Sequence, residues 1–476
     1  MKNRLQRIFI KGGVLSPGEL KQVVKMAKSL GLSTIKLGSR QDILFPYKKS
    51  NKEITDQYPN FSIDNSSVRT YQNIVCSYVS ADIFPATSWL KGSTYLYILE
   101  LFRFNPKLKI NITDPKQQLV PLFKGHLNFI ASEHEDYWYL NLNLPGWENE
   151  TEYPVLIYSW DIPKIAESIE EFYEETTDIS LLFHLINEKI ETNNRTIENK
   201  LEIPFQPFPY YEGMNKMGVN EYWLGLYWRN NEYELDFLKD FCDFCLESRI
   251  GKICITPWKS IIVKGINRQY KINLEKLLGK KGINVRHSSL ELNWHLPVGN
   301  TEALELKKFI VRNFDQNDIS TYGLNFSISE REKNDIYFTS AVVEKNPLPS
   351  VLKDYKVRPT YNVLYCKNFN PNTREYLIYA QDVDKMELPV LLMELSKLYF
   401  ENLGKFDNET ASKSENNEVS VEKEVYQCKE CLTVYDTEYG DSNLDIAPGT
   451  TFENLPTNYK CAVCEAPKEA YTLVKI

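Results

Sequence analysis

The chain has 476 residues, of which 42% are hydrophobic and 25% charged, which fits two to four ordinary globular domains and excludes a fibrous or wholly disordered polymer. Its net charge of −8 argues against a nucleic-acid partner, because that affinity comes from clustered Lys and Arg that displace counterions. No run approaches the roughly 20 apolar residues that span a bilayer, and the opening "MKNRLQRIFIKGG" is too short in its apolar stretch for a secretory leader. A cytoplasmic location without membrane association is therefore expected. Nothing in the sequence sets an oligomeric state.

In chain order, "LQRIFI" predicts a strand. Ser16-Pro17-Gly18-Glu19 then forms a capping-box pattern, with Pro at the first helical position. Leu20, Val23, Val24, Ala27 and Leu30 follow at helical spacing, and Gly31 suits the stop. "STIKLGSRQDILFP" predicts a strand, a polar break and a second strand. The unit is β-α-β-β. A helix is expected over "PATSWLKGSTYLYILELFRF", and short strands over "KLKINIT", "HLNFIAS" and "YWYLNLNLP".

A second β-α-β-β unit begins at "EYWLGLYWR", continues with a helix in "EYELDFLKDFCDFCLESRIG" and ends in "KICITPWKSIIVKG". Laid 218 residues apart without gaps, Ile35 falls on Ile253, Leu37 on Ile255, Ile43 on Ile261 and Leu44 on Ile262. The break Gly38-Ser39-Arg40-Gln41 falls on Thr256-Pro257-Trp258-Lys259. That register predicts an internal duplication. Cys242 and Cys245 lie within the second helix among Phe237, Leu238, Phe241 and Phe244, where they read as small core residues. A strand in "NTREYLIYAQDV" and a helix in "MELPVLLMELSKLYFENL" follow. Residues 404–424 are polar and charged, with too little to bury, and read as a tether.

The tail carries Cys428-x2-Cys431 and Cys461-x2-Cys464. Each CxxC turn brings two thiolates to one ion, and two such turns close a tetrahedral four-sulfur site. The spacing alone leaves zinc and iron open. The loops between the pairs, "VYD", "GD", "IAPGTTFENLP" and "YKCAVC", closely resemble rubredoxin across 425–476. This resemblance implies one iron held by Cys428, Cys431, Cys461 and Cys464, cycling between ferric and ferrous states. It also implies a small aromatic core of Tyr426, Tyr435, Phe452 and Tyr459. The chain departs from the pattern at Leu432 and Glu465, where rubredoxins have Gly, at Ala462 in place of Pro, and at Tyr459 in place of Trp. Gly tolerates the positive φ that turns amides toward sulfur, so Leu and Glu would adopt it at a cost.

The duplicated units, with "NIVCSYVSADIFPATSWL" and "NPKLKINIT", resemble sirohaem-type nitrite and sulfite reductases over residues 1–400. The resemblance implies an α+β fold of two ferredoxin-like half-repeats, each followed by an α/β domain, with the small metal-bound fold at the end. The implied domains are 1–66 and 206–330 for the half-repeats and 67–205 and 331–403 for the α/β domains. The tether 404–424 and the rubredoxin-like domain 425–476 complete the chain. The resemblance would place Arg40, Lys107 and Lys109 against an anion or tetrapyrrole carboxylates. A solvated turn position for Arg40 and an exposed strand face for the lysines are the alternative readings. The body's cysteines, Cys76, Cys242, Cys245, Cys254 and Cys366, lack the spacing that holds the family's four-iron cluster, so neither that cluster nor sirohaem is expected.

The expected function is one-electron transfer by the iron module, with the reductase-like body docking a redox partner protein, rather than catalysis by the body. An active sirohaem-dependent nitrite or sulfite reductase using the tail as built-in donor is one alternative. An interaction protein with structural zinc in the four cysteines is the other.

Overall fold

This computed structural model describes residues 5–46, 63–64, 71–330, 336–347 and 358–404. In the tail it describes 424–475 except 432, 436, 438–440, 442, 443, 445, 448 and 462. Leu432, Ala462 and nearly all of the polar stretch 404–424 therefore lie outside the described residues. The chain divides into two compact units, a body over Met1–Asp407 and a tail unit over Asn408–Ile476. Among the described residues no helix is long and apolar enough to cross a membrane.

The first helix, Pro17–Ser29, starts where its code says. The Ser16 hydroxyl accepts the Glu19 amide at 3.2 Å, and the Glu19 carboxylate accepts the Ser16 amide at 2.6 Å. Such a cap contributes about 1 kcal/mol. Gly31, at φ +68°, ends the run. The helix buries Leu20, Val23, Val24 and Ala27 against the second-repeat helix Leu235–Glu247. These two helices have the same length and sit 218 residues apart.

The two half-repeats exchange strands. One sheet runs Tyr233–Glu234, Thr34–Leu37, Ile43–Pro46, Leu5–Ile8, Ile63–Asp64. The other runs Gly213–Met217, Glu221–Tyr227, Ser260–Asn267, Ile253–Ile255, Val14–Leu15. Tyr233 of the second repeat pairs with Ile35 of the first, and Leu15 of the first pairs with Ile253 of the second. Shifting by 218 turns one pair into the other, so the exchange is reciprocal and the half-repeats share one core.

Each half-repeat is followed by a mixed sheet. In the first, Ile74–Cys76, Ile110–Thr113 and Leu127–Ala131 are parallel, and Tyr137–Leu142 and Val155–Tyr158 then pair antiparallel. In the second, Trp294–His295, Phe326–Glu330 and Ala341–Lys345 are parallel, and Tyr361–Cys366 and Tyr376–Val383 follow antiparallel. Helices Gly92–Leu101 and Ile162–Phe172 contribute to the first core, and Thr301–Gln316 and Leu388–Asn402 to the second. The helix expected over "PATSWLKGSTYLYILELFRF" begins only at Gly92. Before it, the Thr87 amide and hydroxyl are held by the Asp114 carboxylate, which commits that segment to a loop.

Candidate metal centre and the basic seam of the body

The tail unit is built on a three-stranded antiparallel sheet, Val434–Tyr435, Glu424–Cys428 and Tyr471–Lys475. Its core is aromatic. Tyr426 stacks on Phe452 at 3.9 Å between centroids, and Tyr435 meets Phe452 and Tyr459, each at 5.8 Å. Tyr471, which no sequence pattern singled out, closes the cluster against Phe452 and Tyr459.

Beside that core the four thiols converge. Their Sγ atoms all lie within 4.8 Å of one another. Cys428 Sγ is 3.6 Å from Cys464 Sγ, and Cys431 Sγ is 3.4 Å from Cys461 Sγ. A tetrahedral ion with metal–sulfur bonds of about 2.3 Å sets sulfurs about 3.8 Å apart, so the donor set fits one metal ion. The two loops have matching geometry. The Cys428 amide donates to the Thr433 carbonyl at 2.9 Å, and the Cys461 amide to the Ala466 carbonyl at 2.8 Å. Glu465 sits at φ +58°, the left-handed conformation expected for this Gly position.

Amides and hydroxyls aimed at the sulfurs favour the thiolates. The Thr433 hydroxyl and amide hold the Cys431 thiol below its ordinary value. Burial pushes Cys461 up, but the Tyr471 hydroxyl, the amides of Cys464 and Val463 and the Cys431 sulfur outweigh it and bring it to about 6. At Cys464 the Ala466 amide favours the thiolate, but lost hydration and the three neighbouring sulfurs push the thiol up to about 12. Four thiolates this close cannot all ionise without a cation among them.

In the body, Arg40 is 7% exposed, not a solvated turn residue. Its guanidinium donates to Asn111 Oδ1 at 2.6 Å and to the carbonyls of Asn73 and Ile110 at 2.7 and 2.8 Å. Burial brings its pKa down to about 9. Lys107 is exposed, with its amide on the Glu170 carboxylate at 2.7 Å. Lys109 is half-buried, and its amide donates to His126 Nδ1 at 3.1 Å. Arg40 and Lys109 come together at His126, whose pKa falls to about 4, first through burial and then through those two charges.

A second group was not legible in the sequence. His295 is held well below its ordinary value by burial and by the charges of Lys259 and Lys124. Lys124 lies 3.8 Å over the Phe338 ring, which packs on His295. These residues belong to four distant segments, so no local pattern could have grouped them.

The comparisons with known proteins fall on the same two units. The rubredoxin family pattern matches residues 425–471. The chain is 43% identical over 51 residues to Rubredoxin-2 of Chlorobaculum tepidum, spanning 98% of that protein and 11% of this chain. It is 46% identical over 59 residues to a rubredoxin of Nostoc sp., covering 12% of this chain and 53% of that one. The chain thus spans about half the length of the Nostoc relative. The body's fold is that of the NirA protein of Mycobacterium tuberculosis: 86% of this chain superposes on 83% of that one with a TM-score of 0.63, at 13% identity. That likeness bears out the α+β architecture of the body as a fold. Through residues 425–471, which carry the four clustered thiols, the chain belongs to the rubredoxin family.

Proposed function

We propose that this chain is a one-electron carrier: Cys428, Cys431, Cys461 and Cys464 bind a single iron ion, and the body docks the redox partner protein served by the tail. The observation that carries this reading is the packing of four sulfurs within 4.8 Å in a segment that matches rubredoxin through its loops as well as its cysteines. Iron bound there would supply reversible one-electron chemistry. The chain's own residues hold the site. Amides of Val463, Cys464 and Ala466 and the hydroxyls of Thr433 and Tyr471 favour thiolate over thiol. Cys428 and Cys461 are buried against the aromatic core, which keeps water from two of the sulfurs. Cys464 is exposed beside Val463, itself 69% exposed, and this edge gives a partner an apolar approach to a sulfur.

The body's five cysteines are Cys76, Cys242, Cys245, Cys254 and Cys366. All are buried, and burial pushes Cys242 up to about 12 and Cys254 to about 11. Among the described residues, the tail cysteines are the group that brings three or more Cys, His, Asp or Glu donors together. The reductase reading, with sirohaem held in the body, is favoured by one observation. Arg40 and Lys109 lower the pKa of His126, and Lys124 and Lys259 lower that of His295, and basic residues gathered in this way would suit a polyanion.

Metal content and the visible spectrum of the full chain produced with ample iron separate these readings. One iron per chain, with colour that bleaches and returns on reduction and reoxidation, is the expected result. Colourless protein holding zinc would overturn the electron-carrier reading. Haem bands in addition to the iron colour would replace the docking role with the reductase one.

A further inference from the structure

The chain does not treat its four tail sulfurs alike. Cys431 and Cys461, whose Sγ atoms lie 3.4 Å apart, each meet a side-chain hydroxyl. Thr433 Oγ1 is 3.1 Å from Cys431 Sγ, and the Tyr471 hydroxyl is hydrogen-bonded to Cys461 Sγ. A thiolate bound to a metal carries no proton, so toward a loaded site both hydroxyls act as donors.

Tertiary packing puts Tyr471 in this position. Its strand pairs Tyr471 with Cys428, and its buried ring packs on Phe452 at 5.3 Å and Tyr459 at 6.0 Å. Burial, then the bonds to Cys461 and Tyr459, hold the hydroxyl far above the ordinary tyrosine value, so it keeps its proton. That single proton faces two acceptors, Cys461 Sγ and the Tyr459 oxygen. The Tyr459 hydroxyl donates in turn to Asp441 Oδ2 at 3.1 Å, which leaves its oxygen free to accept. An indole at position 459 would offer no such oxygen, because its N–H can only donate.

When iron in a four-thiolate site is reduced, it takes one electron from the redox partner, and no bond forms or breaks. The sulfurs become more negative, and a hydrogen bond to an anion strengthens as the charge on its acceptor grows. A donor aimed at sulfur therefore stabilises the ferrous form more than the ferric one and raises the reduction potential. We infer that the Tyr471 hydroxyl sets the potential of this centre. Its proton is shared between Tyr459 and Cys461 in the ferric state and goes over to Cys461 in the ferrous state, and Thr433 adds a second donor on Cys431. The inference rests on the electron-carrier reading and adds to it the direction of poise, toward holding an electron rather than giving it up.

The test is a spectroelectrochemical titration of the iron-loaded full chain beside its Tyr471→Phe, Thr433→Val and Tyr459→Phe variants. Tyr471→Phe keeps the ring and removes the proton. It should shift the equilibrium at least about threefold toward the oxidised form, a fall of about 30 mV or more at 59 mV per tenfold. Thr433→Val should lower the potential as well. Tyr459→Phe removes the competing acceptor, gives the whole proton to Cys461 and should raise it. A mere loosening of the site by Tyr471→Phe would admit water to the sulfurs and favour the more negative ferrous form, so the sign of the shift separates the two effects. Iron that cycles at the parent potential in Tyr471→Phe, or at a higher one, overturns the inference and leaves the carrier reading standing. Should Tyr471→Phe lose its iron, a rise in Tyr459→Phe upholds the inference and an unchanged or lower potential there overturns it. A colourless parent chain holding zinc would overturn both readings.

Discussion

Gln41 and Lys259 hold the same position in the two halves of the body, at φ +57° and +61°. Each donates its amide three residues back, to Gly38 and Thr256 respectively at 3.1 Å. The turn closes in both halves with a further bond, from the Gly38 amide to the Asp42 carbonyl and from the Thr256 amide to the Ser260 carbonyl, each at 2.9 Å. The duplicated backbone is thus retained in detail while the side chains have diverged. The Gln41 amide donates to the carbonyls of Cys76 and Ile255 and accepts the Cys76 amide at 2.7 Å. Lys259 instead reaches the Leu296 carbonyl.

Gln41 joins three segments through a satisfied buried amide. Replacing it with Ala would leave the Cys76 amide and two carbonyls short of a partner in the core, and should cost about 3 kcal/mol of body stability. Urea unfolding of the variant measures this. A loss below about 1 kcal/mol would mean that water replaces the side chain without penalty.

Arg40 should behave as a structural clamp. Lys cannot reproduce its fork toward Asn111, Asn73 and Ile110, so Arg40→Lys is expected to lower stability by about 2 kcal/mol or more. If the side chain were instead reserved for an external anion, the variant would melt like the parent chain and differ only when sulfite or nitrite is added.

The body should lose stability on the acid side. His126 has its pKa lowered to about 4, so the unfolded chain takes up this proton before the folded one. The stabilisation is complete above about pH 6.5 and is lost as the pH falls toward 4, amounting to about 3 kcal/mol at most. His295, held well below its ordinary value, acts in the same direction. Denaturant midpoints measured from pH 7 to 4 should fall, and His126→Asn should flatten part of the slope. A parallel profile in the variant would refute the assignment.

Glu465 holds a left-handed conformation at φ +58° beside two of the thiols. Glu465→Gly should relieve that strain and stabilise the tail unit by about 0.5–1 kcal/mol, net of the entropy Gly adds to the unfolded chain. The change would appear as greater resistance of the visible metal band to guanidinium. An unchanged or lower midpoint would show that the Glu side chain contributes as much as its backbone costs.

The local codes were legible because they are complete within a few residues. The cap at Ser16 and Glu19, the stop at Gly31, the strands on either side of Arg40 and the gapless register of the second repeat all stand in the structure as written in the chain. The two CxxC pairs and their loops likewise specify a metal knot, since a turn of four residues suffices to aim two thiols at one point. The positive φ at Glu465 followed from the same local geometry.

Long-range closure decided the rest. Whether Arg40 faces water, an anion or the core depends on the strand Ile110–Thr113 arriving beside it, some seventy residues later in the chain. The late start of the helix at Gly92 was decided by Asp114, and the place of Tyr471 in the aromatic core by the pairing of Glu424–Cys428 with Tyr471–Lys475. The reciprocal pairing of Leu15 with Ile253 and of Tyr233 with Ile35 is invisible in composition or period, because two short apolar strands match many partners equally well in isolation. By itself the sequence determined the Ser16 cap, the Gly31 stop, the repeated turn and the thiol knot, which are set by residues close along the chain. Only the tertiary structure decided which buried charges meet, since that outcome depends on packing segments that share no local signal.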